Sequence, residues 1–121
     1  MNRQELEERL IDFAVSGIET GKSLPKDDIG RYLAGQLMRS SSSPALNYGE
    51  AQSAESRKDF AHKISIILKE LRESLICMKI IKRSNLVRDL SLLEIRLTEC
   101  NELISIFVKT LKSTQKPNLS N

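Results

Sequence analysis

The chain has 121 residues, of which 40% are hydrophobic, 29% are charged and only 4% are aromatic. This length is enough for one domain that buries a core without disulfides or metal, and the composition excludes intrinsic disorder. Residues 1–5 are polar and do not resemble a secretory signal, and no run of about 18 apolar residues could span a membrane. We therefore expect a cytoplasmic protein that is not attached to a membrane.

The net charge of +3 is distributed unevenly along the chain. Residues 57–85 contain eight Lys or Arg and three Asp or Glu residues, a net charge of +5. Residues 1–27 contain four basic and six acidic residues, a net charge of −2. Cys77 and Cys100 are the only cysteines, and both fall in apolar helical stretches. Two buried thiols are typical of a reducing compartment.

The first predicted helix covers about residues 2–20, with Asn2 as its N-terminal cap. One face carries four residues at helical spacing: Leu6, Leu10, Phe13 and Gly17. A second apolar face is formed by Ile11, Val15 and Ile18. Gly21 is predicted to end the helix, and the turn Leu24-Pro25-Lys26 follows it.

The second predicted helix begins near Asp27 or Asp28. Its weak point is a run of four serines, residues 40–43, followed by Pro44. Proline lacks an amide hydrogen and clashes with the preceding turn. We therefore predict a kink or break between Ser40 and Pro44, after which the helix continues to about residue 54.

The third and fourth helices carry the longest apolar patterns. Ser56 is the predicted cap of helix 3, whose stripe consists of Phe60, Ile64, Ile67, Leu68, Leu71, Leu75 and Met78. After a break at Ser84 and Asn85, the pattern of helix 4 consists of Leu86, Leu90, Leu93, Leu97, Cys100, Ile104, Phe107, Val108 and Leu111. Short connections between long helices predict antiparallel neighbours. We therefore predict an all-α fold: an antiparallel up-down four-helix bundle over residues 1–112, with helix 2 kinked near Pro44 and residues 113–121 as a flexible tail.

The residues offer no chemistry that an enzyme would need. His62 is the only histidine, so the paired Glu-x-x-His motifs of di-iron bundles are absent. Cys77 lies roughly 22 Å from His62 along the same helix, so these two residues cannot form a nucleophilic pair within one chain. The run from Gly17 to Ser23 is one residue short of a phosphate-binding loop and follows a helix, not a strand. We expect no catalytic activity, no metal and no cofactor.

Five basic residues of helix 3 fall within an arc of about 80° when each residue turns by about 100°. They are Lys58, Lys69, Arg72, Lys79 and Arg83. Such a stripe can neutralise phosphates, and without interleaved aromatic residues it would contact only the backbone of RNA or DNA. The alternative is a solvated helix face whose side chains cover apolar surface or pair with Glu70, Glu73 or acidic residues of helix 4.

Helix 3 is apolar nearly all round between residues 75 and 81, and helix 1 has two apolar faces. A surface helix of a monomer needs only one apolar stripe. This pattern predicts a contact with a second subunit through Ile11, Val15, Ile66, Ile76, Cys77 and Ile80. The alternative is that helix 3 is simply the most central helix.

Residues 24–102 resemble the small bacterial four-helix-bundle proteins that were first noticed as products of intervening sequences in large-subunit ribosomal RNA genes. The resemblance rests on Leu24-Pro25-Lys26, Gln36-Leu37-Met38-Arg39-Ser40, Asn47-Tyr48-Gly49-Glu50-Ala51, Ser56, Asp59-Phe60-Ala61-His62-Lys63, Leu68-Lys69-Glu70, Glu73 and Glu102-Leu103. Ile76 and Cys77 stand where relatives often have an aromatic pair.

The resemblance implies a left-handed bundle that assembles into rings, typically pentamers, without enzymatic activity. It also implies a structural polar network between helices 2 and 3, formed by Arg39, Asn47, Glu50 and Glu70. Distantly similar proteins are the accessory variability proteins of diversity-generating retroelements, which bind a reverse transcriptase and nucleic acid. We therefore expect a non-catalytic homo-oligomer that contacts RNA, DNA or a nucleoprotein partner through its basic surface. The alternative is an oligomeric protein–protein adaptor with no nucleic-acid role.

Overall fold

The computed structural model describes residues 1–115, which form four helices and no strand. The helices are α1 (Arg3–Ser23), α2 (Asp28–Ala51), α3 (Arg57–Arg83) and α4 (Leu90–Gln115). The predicted all-α bundle is therefore confirmed. α4 runs three residues beyond the predicted end of the bundle at residue 112, and the rest of the predicted tail, residues 116–121, lies outside the described residues.

Each helix begins at a side chain that accepts a hydrogen bond from the first turn. Asn2, Asp27 and Ser56 cap α1, α2 and α3 as predicted, with N···O distances of 2.8–3.0 Å. Asp89 does the same for α4, because its carboxylate accepts from the amide of Leu92 at 2.9 Å. The prediction that Leu86 belongs to helix 4 was therefore wrong, since this cap starts the helix at Leu90.

The glycines of α1 bring this helix close to α2. A Cβ atom on Gly17 would lie 1.8 Å from the Oγ atom of Ser41, and one on Gly21 would lie 2.5 Å from the Cε atom of Met38. The prediction that Gly21 ends the helix was wrong, because α1 continues to Ser23. The Gly17-x-x-x-Gly21 spacing, which looked like part of a phosphate-binding loop, serves helix packing.

α2 is continuous through Pro44, which is buried within it. The predicted break is therefore absent, whereas a bend of the helix axis stays a prediction. Packing on both sides supports the helix here. Ser41 lies against α1, and the hydroxyl of Ser40 accepts a hydrogen bond from Ser74 of α3 at 2.9 Å. Tertiary contacts of this kind outweigh the local cost of proline.

Consecutive helices pack side by side, and α4 returns to α1 to close the bundle. The contacts run in opposite chain directions: in α2 and α3, Cys77 meets Leu33, and Lys63 meets Glu50. The core contains large side chains that are fully buried: Leu10, Leu37, Ile64, Ile67, Leu71, Met78, Ile81, Leu93, Leu103 and Phe107. Within residues 1–115, no helix is long and apolar enough to cross a membrane.

Candidate interaction surface

The cysteines and the histidine that were considered for catalysis are not placed together. Cys77 and Cys100 are buried free thiols, and burial raises the pKa of both, that of Cys100 to about 12. A thiol that stays protonated at neutral pH is a poor nucleophile. His62 is exposed on α3 beside Glu50 and Lys63. In the part of the chain that is described, no three His, Cys, Asp or Glu side chains are grouped as metal ligands would be.

The five predicted phosphate-binding residues, here called the basic stripe (Lys58, Lys69, Arg72, Lys79 and Arg83), are all exposed along α3. The acidic residues that could have paired with them are held by other cations. Arg39 of α2 pairs with Glu70 at 2.9 Å and also with Glu73, and Lys82 pairs with Glu94 of α4. Among residues 1–115, no residue of the basic stripe forms a salt bridge. The stripe therefore presents exposed positive charge, and Lys69 has an electrostatic interaction with Glu73.

Two exposed isoleucines share this side of α3. Ile76 is 54% exposed and Ile80 is 45% exposed. At about 100° per residue, Ile76 falls inside the arc of the basic stripe and Ile80 falls at its edge. We call this mixed surface the α3 outer face: Lys69, Arg72, Ile76, Lys79, Ile80 and Arg83. The structure thus places the predicted nucleic-acid contact and part of the predicted subunit contact on one surface.

The α3 outer face continues into a cleft of about 430 Å³ between α2 and α3. Ile76, Ile80 and Arg72 line the cleft from α3, and Tyr32 and Gln36 line it from α2. Tyr32 is 64% exposed, although it directly precedes the buried Leu33. The sequence analysis did not single out Tyr32. One signal in the sequence could have identified it. Tyr32 is one of only five aromatic residues in the chain, and it lies off the apolar stripe of its helix.

α1 carries a second exposed apolar surface, made of Ile11, Val15 and Ile18. Glu8 and Asp12 are exposed beside these isoleucine and valine side chains, and neither forms a salt bridge among residues 1–115. We call this set of five residues the α1 outer face. It combines apolar and acidic side chains, whereas the α3 outer face combines apolar and basic ones.

Comparison with known proteins identifies the family. The family model of the 23S rRNA-intervening sequence protein matches residues 4–109. The chain belongs to this family. One similar solved structure is a protein with unknown function from the S23 ribosomal protein family of Bacteroides thetaiotaomicron. It is 26% identical and aligns with a TM-score of 0.80 over 88% of this chain and 98% of that chain. No curated protein matches.

The family match confirms the resemblance seen in residues 24–102 and extends it over almost all of α1 and most of α4. The α1 outer face therefore lies within the part of the chain that the family model matches.

The four residues of the predicted polar network form two separate sets of contacts. Arg39 joins α2 to the nearly buried Glu70, and to Glu73, which was not predicted as a member. The hydrogen bond from Arg39 lowers the pKa of Glu73 below its ordinary value, and the same bond raises the pKa of Arg39. Glu50 instead pairs with Lys63 at 3.2 Å, and Asn47 donates to Ser43 within α2.

Two of the predicted interface residues have little or only partial exposure on the surface of the single chain. Cys77 is only 5% exposed, and its Sγ atom lies 3.7 Å from the carbonyl oxygen of Leu33. Within the single chain, its position on α3 turns it toward α2 and the core, so its role at an interface stays a prediction. Ile66 is half-buried. Of the predicted interface residues, four are exposed: Ile11, Val15, Ile76 and Ile80.

Proposed function

We propose that this chain is a non-catalytic binding protein that works as a homo-oligomer. One observation supports this most: α1 and α3 each expose apolar residues one turn apart, Ile11 and Val15 on α1 and Ile76 and Ile80 on α3. Both helices already bury a separate apolar stripe in the core. Exposed apolar clusters of this kind are typical of protein contacts. Five subunits is the number that the family resemblance favours.

Light scattering on the purified chain tests the assembly. We expect a mass several times 13.7 kDa at micromolar concentration. Ile80→Asp places a charge on the α3 outer face and should give a monomer. The matched control is Leu46→Asp, because Leu46 is 67% exposed on α2, outside both outer faces. An unmodified chain that stays monomeric would refute the proposal.

A second candidate function is contact with the phosphate backbone of RNA or DNA. It is favoured by the basic stripe, whose five residues are exposed and form no salt bridge among residues 1–115. Lysine and arginine contacts to phosphates carry no base information, so binding should show little sequence preference. It should weaken steeply with salt, with a log–log slope of roughly −0.7 to −0.9 for each phosphate contacted.

Fluorescence anisotropy with labelled single- and double-stranded RNA and DNA tests this second function. Reversal of Lys69, Arg72 and Lys79 to Glu should abolish binding. The control reverses three exposed cations elsewhere, Lys22, Arg31 and Arg88, which changes the net charge equally. Binding that both triple variants weaken equally would reflect net charge alone and not the basic stripe.

A further inference from the structure

We infer that the α1 outer face of one copy docks on the α3 outer face of a second copy. The inference rests on the proposed self-assembly and specifies which surfaces meet. The apolar parts of the two faces have complementary shapes. Ile11, Val15 and Ile18 are in one row along α1 and can pack into the cleft beside Ile76 and Ile80.

The charges around the two apolar clusters are opposite. Glu8 and Asp12 flank the cluster on α1, and Lys69, Arg72 and Lys79 flank the cluster on α3. None of these five residues has a salt-bridge partner within residues 1–115. One basic residue, Lys22, is one turn beyond Ile18 at the end of the α1 cluster. A second copy therefore supplies the missing partners on both sides.

The same charges disfavour contacts between identical faces. Two α3 outer faces would bring lysines and arginines together around Ile76 and Ile80, and two α1 outer faces would bring carboxylates together. Like charges that face each other across an interface disfavour the contact. The charge pattern therefore selects a contact between unlike faces over a symmetric one.

The position of the two faces in the bundle makes the contact repeat from copy to copy. α1 and α3 each pack on α2 and α4, and within residues 1–115 they make no contact with each other. Their outer faces are therefore on opposite sides of one chain. Each copy can offer one face and receive the other, and such head-to-tail contacts produce closed rings or open filaments.

This docking has a consequence for the basic stripe. A neighbour that covers Ile76 also covers Arg72 and Lys79, because these residues are one helical turn away on the same side of α3. The cations would then be neutralised by Glu8 and Asp12 of the neighbour, and nucleic acid would compete with assembly for these residues.

Complementation between two inactive faces tests the docking. Val15→Asp disables the α1 outer face and leaves the α3 outer face intact, and Ile80→Asp does the reverse. Each variant alone should be a monomer with unchanged helicity by circular dichroism. An equimolar mixture should form a one-to-one complex of about twice 13.7 kDa that cannot grow further. Two monomers that remain separate when mixed would overturn the inference, even if the unmodified chain assembles.

A charge exchange provides the second measurement and avoids a charge in the apolar contact. Glu8→Lys with Asp12→Lys, or Lys69→Glu with Lys79→Glu, should each weaken assembly by about ten-fold or more in dissociation constant. The chain with all four changes should recover most of that loss. The docking is refuted if the losses of assembly from the two double variants simply add in the chain with all four changes. It is also refuted if reversal of the basic stripe abolishes nucleic-acid binding while assembly is unchanged, because the α3 outer face would then serve nucleic acid. A monomeric unmodified chain would instead refute the proposed self-assembly itself.

Discussion

Ser40 and Ser41 are adjacent in α2, yet they face different helices. Ser41 lies against Gly17 of α1, where a single added carbon would overlap its side chain. Ser40 accepts a hydrogen bond from the buried hydroxyl of Ser74 in α3, one turn from the pairing of Arg39 with Glu70. The α1 side of α2 is thus held by close steric fit, and the α3 side is held by paired polar groups. The two contacts should therefore fail under different substitutions and conditions.

The largest expected effect is on the α1 side. Gly17→Ala should destabilise the fold by about 1–3 kcal/mol, because the new Cβ atom would overlap the Cβ and Oγ atoms of Ser41. This loss should appear even though alanine favours helix over glycine by up to about 1 kcal/mol. Urea unfolding followed by circular dichroism measures the difference.

Gly35→Ala is the matched control for Gly17→Ala, since apart from the adjacent residues and the nearby backbone of α2 itself nothing lies within 4 Å of the position of its Cβ. It should stabilise the same fold by about 0.5–1 kcal/mol. Ser41→Gly in the Gly17→Ala chain should recover part of the loss by removing the overlapping atoms. If Gly17→Ala proves as stable as Gly35→Ala, the close fit between α1 and α2 does not exist.

A smaller and pH-dependent effect is expected on the α3 side. Arg39→Ala should cost about 1–2 kcal/mol at neutral pH, because it leaves the nearly buried Glu70 without its partner. This figure allows for solvent screening, since half of the Arg39 side chain is exposed.

The sign of the pH dependence follows from Glu73, whose folded-state pKa is lowered by its hydrogen bond from Arg39. A lowered pKa stabilises the fold above the unfolded pKa of roughly 4.3 and stops doing so as the pH falls through the folded value. The difference between the unmodified chain and Arg39→Ala should therefore be constant from about pH 5 to 7 and shrink below about pH 4. Arg31→Ala, which removes an exposed arginine of the same helix, should show no such shrinkage.

The smallest expected effects come from removing either the acceptor or the donor of one buried hydrogen bond. Ser40→Ala leaves the Ser74 hydroxyl buried without its acceptor and should cost about 1 kcal/mol. Ser74→Ala should cost less, because Ser40 can still donate to the carbonyl oxygen of Leu37. Equal losses for the two variants, measured by urea unfolding, would contradict the direction of this hydrogen bond.

Local signals in the sequence predicted much of the fold. Asn2, Asp27 and Ser56 were identified as caps because capping is a hydrogen bond between residues three positions apart. Apolar spacing predicted the buried face of α1 and most of the buried faces of α3 and α4 for the same reason, since it depends only on the turn of a helix. The start of α4 was misplaced because the apolar pattern continues through Leu86, whereas Asp89 caps the helix three residues later.

The candidate surface was predictable only in part. The sequence alone determined that α3 carries a basic stripe and an excess of apolar residues, because charge and periodicity are properties of one helix. Only the tertiary structure decided that Arg39 also pairs with Glu73, that Lys82 pairs with Glu94 and that Cys77 turns inward. These outcomes depend on which helices become neighbours, and so does the continuity of α2 through Pro44. Contacts between residues distant along the chain decided them, and no local pattern encodes such contacts.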